Sequence, residues 1–375
     1  MRPFRSFFAA VLLTLAFFPA EAAYRDWVQT IAVLPPSAGW ESEQGRSADL
    51  ALRLAENEVN DSAEGAGGRD VRFVRIEATS RADDLRKLEV RAVLAAGPDL
   101  PETFVRNLAN GWTGPPIVVA GGERIEFSPG NAPYLYALDL FQDFRADALS
   151  RFAAAHLPAK SRIALVSDNL GEDSRRGASL TRVFLEEKGF DVFPLFFPGE
   201  GENAFEFVMQ EIRDSGSKAV IVWLGAMSAM DMWRVAAKFG ISVEIWNAGD
   251  RDEMLVPFQG LLAVSQNATD GFPFLGLSRR LRLEFSVRPE DLLSAARVYA
   301  CARWIIAALS RVNASGASLD VALSTMSGIP FGKEMLSINP ITHRPQSRSV
   351  RIYRVSSHRW RQEAEFDVAA RGAAY

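Results

Sequence analysis

Between Ser161 and Trp246 the chain alternates repeatedly between a short apolar run and an amphipathic segment, and this alternation constrains the fold more than any other feature. A strand over Arg162–Ser167 passes through the polar turn 168–172 into a helix reaching about Lys188, with Leu180, Val183 and Phe184 on one face. Gly189 stands where a left-handed helix cap is expected. A second strand, Phe190–Phe196, leads through a glycine-rich loop to Phe205, Val208, Met209 and Ile212, whose spacing marks one side of a helix. A third, Lys218–Trp223, ends near Gly225 and feeds a helix carrying Met230, Trp233 and Ala237; Ser242–Trp246 begins a fourth strand. Parallel neighbours need a crossover long enough to be a helix, so the pattern predicts an α/β fold with a parallel sheet. Continuously apolar strands predict helices on both faces.

Ligands of such sheets sit beyond the carboxyl ends of the strands. Here those ends supply Asn169, Leu170, Gly225, Ala226, Met227 and Asp250 as candidate ligand-binding residues. An earlier set of strands, Gln29–Leu34, Val71–Ile76, Ala92–Ala95 and Pro116–Ala120, alternates with helices in the same way. Its ends add Pro98, Asp99, Gly121 and Gly122. Beyond Asp250 the spacing predicts a long helix over Pro289–Arg311 and a short one over Ala317–Met326. Val350–Val355 alternates as a last strand, half-buried at most, and 362–375 is expected to be a poorly ordered tail.

Residues 1–23 have a different character. Arg2 and Arg5 precede the apolar stretch Phe7–Phe18, and Ala20-Glu21-Ala22 is a small-x-small site, the layout of a cleaved secretory signal. The expected location is therefore the periplasm. No second apolar run approaches membrane-spanning length. The lone Cys301 excludes an internal disulfide and is expected to be buried and inert. A net charge of −4 without a clustered basic face gives no footprint for nucleic acid. The sequence holds no phosphate loop, dinucleotide fingerprint or zinc motif, and His156, His343 and His358 lie in separate segments. No catalytic residue, metal ligand or cofactor is expected, and the chain is not expected to be an enzyme.

Several segments together resemble the type I periplasmic binding proteins, in particular the branched-chain amino-acid and amide group of ABC importers. Ala32-Val33-Leu34-Pro35, the helix ending Ala55-Glu56-Asn57-Glu58-Val59-Asn60, Ala164–Gly171, Lys188–Val192, Asp214–Trp223 and Phe331-Gly332 with Asn339–His343 carry the likeness, over nearly all of the chain from Ile31 to about Trp360. The resemblance implies two Rossmann-like lobes, parallel sheets flanked by helices, with a hinge and an interlobe ligand cleft. Lobe 1 is expected over 24–140 plus 251–333, and lobe 2 over 141–250 plus 334–361. It implies a monomer that binds a small-molecule ligand and delivers it to the membrane permease of an ABC transporter. The alternative is a ligand-sensing subunit acting on a membrane receptor.

Amino-acid binders of this group usually offer Ser or Thr hydroxyls after the third and fourth strands. Here those loops read Gly97-Pro98-Asp99-Leu100-Pro101 and Ala120-Gly121-Gly122-Glu123, without a hydroxyl. Asp99 would repel an anion, and Asp250 stands where the group places an acidic partner for an amine. A neutral, apolar or cationic ligand is expected rather than an ordinary α-amino acid.

Overall fold

The computed structural model describes residues 27–97, 100–109, 111–121, 133–138, 141–168, 171–197, 202–249, 251–265 and 272–370. The chain divides into two compact units. The first takes residues up to Ala120, 132–136 and Ser278–Met326; the second takes 121–131, 137–277 and 327 onward.

In the first unit, β1 (Val28–Leu34), α1 (Glu43–Asn60), β2 (Asp70–Arg75), α2 (Ala82–Lys87), β3 (Val90–Ala95), α3 (Glu102–Ala109), β4 (Ile117–Val119) and β5 (Leu135–Ala137) follow in order. The sheet order is β2-β1-β3-β4-β5, and β1 pairs in parallel with both β2 and β3. Ser42 caps α1 by accepting from the Gly45 amide at 3.0 Å. At the other end of α1, Asn60 offers its amide to both backbone groups of Val71 (2.8 and 2.9 Å), which fixes where β2 starts.

The second unit begins with α4 (Gln142–His156). It continues with β6 (Arg162–Asp168), α5 (Glu172–Glu187), β7 (Asp191–Phe197), α6 (Glu202–Ser215), β8 (Ala219–Trp223), α7 (Ala226–Lys238), β9 (Glu244–Asn247) and β10 (Leu262–Ser265). After α8 (Phe272–Phe285) the chain supplies α9 (Leu292–Ser315) and α10 (Leu319–Ser324) to the first unit. It then returns as β11 (Ser327–Phe331), β12 (Glu334–Ser337), β13 (Ser347–Ser356) and β14 (Arg359–Ala369). The main sheet runs β14-β13-β10-β9-β8-β6-β7. From β7 to β10 neighbours are parallel, and β13 and β14 add antiparallel.

The parallel strands are covered on both faces, as their continuous apolar runs require. Ala164, Val166, Val220 and Val222 point toward α6 and α7, where Val208, Ile212, Met232 and Val235 are buried. The alternate residues face α4 and α5: Phe152 of α4 meets Trp246 edge-on at 5.1 Å. Pro194 lies in β7, the edge strand of this sheet, where a missing ladder donor is tolerated.

α9 is long and apolar enough to cross a membrane by composition, although the sequence showed no second run of that kind at first sight. Its Val298, Cys301, Ile305 and Leu309 instead lie buried in the first unit. Asp291 caps it through the Ser294 amide, and Gly316, at φ 71°, terminates it. Cys301 is fully buried.

Three features depart from the sequence-based reading. Leu262–Ser265 is a strand between β9 and β13, so the chain stays in the second unit through residue 277 instead of leaving it at 251. β13 is not half-buried: Val350, Ile352 and Val355 are at most 1% exposed, because β10 and β14 flank it. Most of the expected C-terminal tail is β14, paired with β13 along its length. Only Val368 of β14 is buried, so a charged, solvated edge strand looked like a tail.

Arg351 and Glu365 stand opposite each other across β13 and β14, 2.9 Å apart. The hydrogen bond from Arg351, reinforced by Ser349, holds the Glu365 carboxyl down to about 2. The folded value lies below the unfolded one, so this contribution is present above the unfolded carboxylate range, near pH 4.3, and is lost as pH falls toward 2. Glu365 is 41% exposed, and solvent screening limits the contribution to about 1 kcal/mol. Glu365→Gln should lower stability by that amount at pH 7 and by progressively less below pH 4, measured by urea unfolding across the pH range.

Candidate functional site

Each parallel sheet has a topological switch point, where the strand order reverses and a crevice opens beyond the carboxyl ends. In the second unit it falls between β6 and β8, because β7 lies on one side of β6 and β8 and β9 on the other. In the first unit it falls between β1 and β3.

The β6/β8 edge is built by α5. Ser174, in the first turn of α5, donates to the carbonyl of Trp223 at the end of β8 and accepts from the amide of Asp168 (2.8 Å) at the end of β6. One hydroxyl thus ties both strand ends to the helix. One turn on, Gly177 lets α5 lie directly against the Trp223 ring: a Cβ there would fall 2.3 Å from two ring carbons. Trp223 Nε1 donates to Thr181 Oγ1 at 2.9 Å, and Thr181 donates to the carbonyl of Gly177 at 2.8 Å.

Two helices begin at this edge without a side-chain cap. α5 starts after Gly171 and α7 after Gly225, and neither glycine has a side chain to cap the amides of the first turn. Such amides, with the helix dipole behind them, favour an acceptor oxygen or an anion. Gly225 has open space where a side chain would stand, and it is exposed.

The neighbouring strand end is rigidly held. Asn247 is 1% exposed and accepts from the Gly249 amide at 3.2 Å, turning the chain as β9 ends. The buried guanidinium of Arg145 on α4 donates to the carbonyls of Ala248 (3.2 Å) and Val264 (3.0 Å), joining the carboxyl ends of β9 and β10.

Of the residues singled out from the sequence, Gly225, Ala226 and Met227 come together at the start of α7, with Met227 53% exposed. Gly121 is buried just after β4. Pro98, Asp99, Gly122, Asn169, Leu170 and Asp250 lie outside the described residues. Sequence reasoning passed over Ser174, Gly177, Trp223 and Arg145. A small residue one turn into a helix that follows a strand was the available signal for Gly177; nothing local marks Arg145, whose partners are about a hundred residues away.

The first unit has a separate cavity of about 260 Å³ at the carboxyl ends of β1 and β2. Arg46 pairs with Glu290 at 2.6 Å and Arg75 with Asp49 at 2.5 Å, and the Arg75 guanidinium lies 4.6 Å from the Trp40 ring centre. This cavity sits to the β2 side of the switch point, and its charges are matched by these exposed pairs. Among the described residues no group of three or more His, Cys, Asp or Glu could hold a metal ion.

Residues 28–359 match the Periplasmic binding protein family. No curated protein matches the sequence. Among solved structures, a putative branched-chain amino acid ABC transporter protein from Rhodospirillum rubrum is similar with a TM-score of 0.74 at 17% identity, over 90% of this chain and all of that one. A solute binding protein of an ABC transporter from Rhodopseudomonas palustris, in complex with 3,4-dihydroxybenzoic acid, gives 0.65 at 16% identity, over 92% and 98%. A branched-chain amino acid transporter substrate binding protein from Streptococcus pneumoniae, in complex with isoleucine, gives 0.64 at 18% identity, over 92% and 100%. At these identities the likeness shows the fold alone, whereas the family match spans most of the sequence. The chain belongs to the periplasmic binding protein family, as a divergent member with the type I fold.

Proposed function

We propose that this protein is the exported solute-binding subunit of an ABC importer. It takes up a small organic ligand at the carboxyl edges of its sheets, by hinge closure of its two units, and presents it to a membrane permease. No chemistry is performed; binding free energy biases an open–closed equilibrium. The observation that carries this reading is the β6/β8 edge, where α5 and α7 both begin on glycines, which bring no side chain to cap the amides of the first turn.

Those amides favour a ligand with an acceptor oxygen, carbonyl or carboxylate, and the exposed Met227 offers its body an apolar surface. The sequence-based preference for a neutral, apolar or cationic ligand rested on the absence of hydroxyls in the loops after the third and fourth strands and on Asp99 and Asp250; these two carboxylates lie outside the described residues. Similar proteins hold isoleucine or dihydroxybenzoate, both bearing a carboxylate.

Thermal unfolding of residues 24–375 against amino acids, amides, alcohols, aromatic acids and polyamines tests the reading. A ligand at about 100 times its dissociation constant stabilises the native state by about 2.7 kcal/mol, a rise of a few degrees. Ala226→Pro is the matched variant. Proline is accepted at the first helical position, and Gly225 (φ −64°, ψ 165°) has the extended conformation that a following proline requires. The variant should unfold at the same temperature without ligand, yet bind about tenfold more weakly, a loss of about 1.4 kcal/mol for one ligand hydrogen bond. Hits confined to polyamines, or an unchanged affinity in Ala226→Pro, would contradict the role given to this helix terminus.

A further inference from the structure

The opposite, amino-terminal edge of the first unit's sheet holds a second cavity, of about 670 Å³, far larger than the one beside Trp40. It is formed by the starts of β1, β2 and β3 and by the end of α2. Its lining is strongly unbalanced in charge: five cationic side chains and a single carboxylate, Glu89. Arg86 and Lys87 are partly neutralised by Asp83 and Asp84 on their own helix. Arg69, Arg72 and Arg91 have no ion pair among the described residues.

Gln29 is the second, independent observation. It lines the same cavity, is only 3% exposed, and neither its Nε2 nor its Oε1 has a hydrogen-bond partner among the described residues. An unpaired buried amide is costly unless something satisfies it. The backbone beside it is also irregular. Thr30 pairs with Val90 and Ile31 with Ala92, so Arg91 is an extra residue in β3, a bulge of the kind that re-aims a side chain.

We propose that this cavity is a binding site for a phosphate-bearing anion. The guanidinium groups of Arg69, Arg72 and Arg91 would hold its oxygens with charge-assisted hydrogen bonds, and the Gln29 amide would donate from the floor. Such an anion can be a free phosphate compound or a lipid headgroup. The second source is compatible with Trp27, which is 63% exposed and directly precedes the lining residue Val28.

The test is titration of the purified protein with inorganic pyrophosphate at low and physiological salt, alongside flotation with vesicles of phosphatidylcholine alone or with phosphatidylglycerol. Wild type is compared with Arg72→Ala/Arg91→Ala, both at exposed positions, and with Gln29→Leu. Gln29→Leu removes the unpaired amide and should keep or raise the unfolding temperature, so lost binding in that variant is not lost folding. The expected result is saturable binding, weakened at least tenfold in both variants and reduced by salt. Saturable pyrophosphate binding identifies a soluble ligand. Flotation with phosphatidylglycerol vesicles alone, abolished by the same substitutions, identifies a headgroup. No binding of either probe, or binding that both variants leave unchanged, overturns the proposal. Ala226→Pro should leave this site untouched, which separates its fate from that of the ligand edge described above.

Discussion

Arg348→Ala should destabilise the protein by about 3–5 kcal/mol, the largest loss expected of any single substitution considered. The Arg348 side chain is fully buried on β13. Its Nε donates to Glu334 at 3.0 Å, a second nitrogen donates to the carbonyl of Leu138, and the guanidinium lies 5.0 Å from the Phe331 ring centre. Glu334 also accepts from the amide of Ser349. The β11–β12 hairpin is thereby fixed to β13 through one charge pair. Truncating the arginine leaves the Glu334 carboxylate, 10% exposed, without its cation in a poorly solvated place, and that cost outweighs the lost contacts. Arg348→Met/Glu334→Leu removes both charges and should recover most of the stability. Chemical denaturation of wild type, Arg348→Met, Glu334→Leu and the double variant measures the coupling. If Arg348→Ala costs under 1 kcal/mol, the pair is not buried in solution as described.

Gly177→Ala should be the most damaging substitution at the ligand edge. A glycine inside a helix ordinarily costs about 1 kcal/mol relative to alanine, so alanine would stabilise α5 if space allowed. Space is absent: the added methyl would lie 2.3 Å from the rigid Trp223 ring. Overpacking of this kind costs about 3 kcal/mol, and α5 must shift to relieve it. The same shift pulls Ser174 from the ends of β6 and β8, so ligand affinity should fall at least tenfold together with the unfolding temperature. Trp223→Leu in the Gly177→Ala background should restore stability. A Gly177→Ala protein more stable than wild type would show that α5 does not pack on Trp223.

Periodicity exposed the fold where a strand buried on both faces is followed by an amphipathic helix. β6, β8 and the helices after them fall where the residue pattern predicts, because continuous apolar runs and i, i+3, i+4 spacing report burial directly. The two exceptions have different causes. β10 is only four residues long and lacks a distinctive flank, and β14 is an edge strand whose exposed positions carry Arg361, Glu363, Glu365 and Asp367. The start of α7 was legible because Gly225 ends an apolar strand, and a glycine there signals close approach or an open amide. The residues that hold the edge in place were not legible. Ser174, Gly177 and Trp223 are ordinary on their own, and their role exists only once β6, β8 and α5 are brought together. Nothing local marks Arg145, because its partners are the main-chain carbonyls of Ala248 and Val264 at the ends of β9 and β10, which no side-chain pattern can announce.

The central proposal is that this protein holds a small ligand and does not transform it. Titration calorimetry of residues 24–375 with the strongest stabilising compound, followed by recovery and chemical identification of that compound, tests it most directly. The expected result is saturable binding at one site per chain, a negative heat-capacity change from apolar burial, weaker binding in Ala226→Pro, and ligand recovered unchanged. Conversion of the compound during incubation, or binding that ignores both Ala226→Pro and Gly177→Ala, would contradict it.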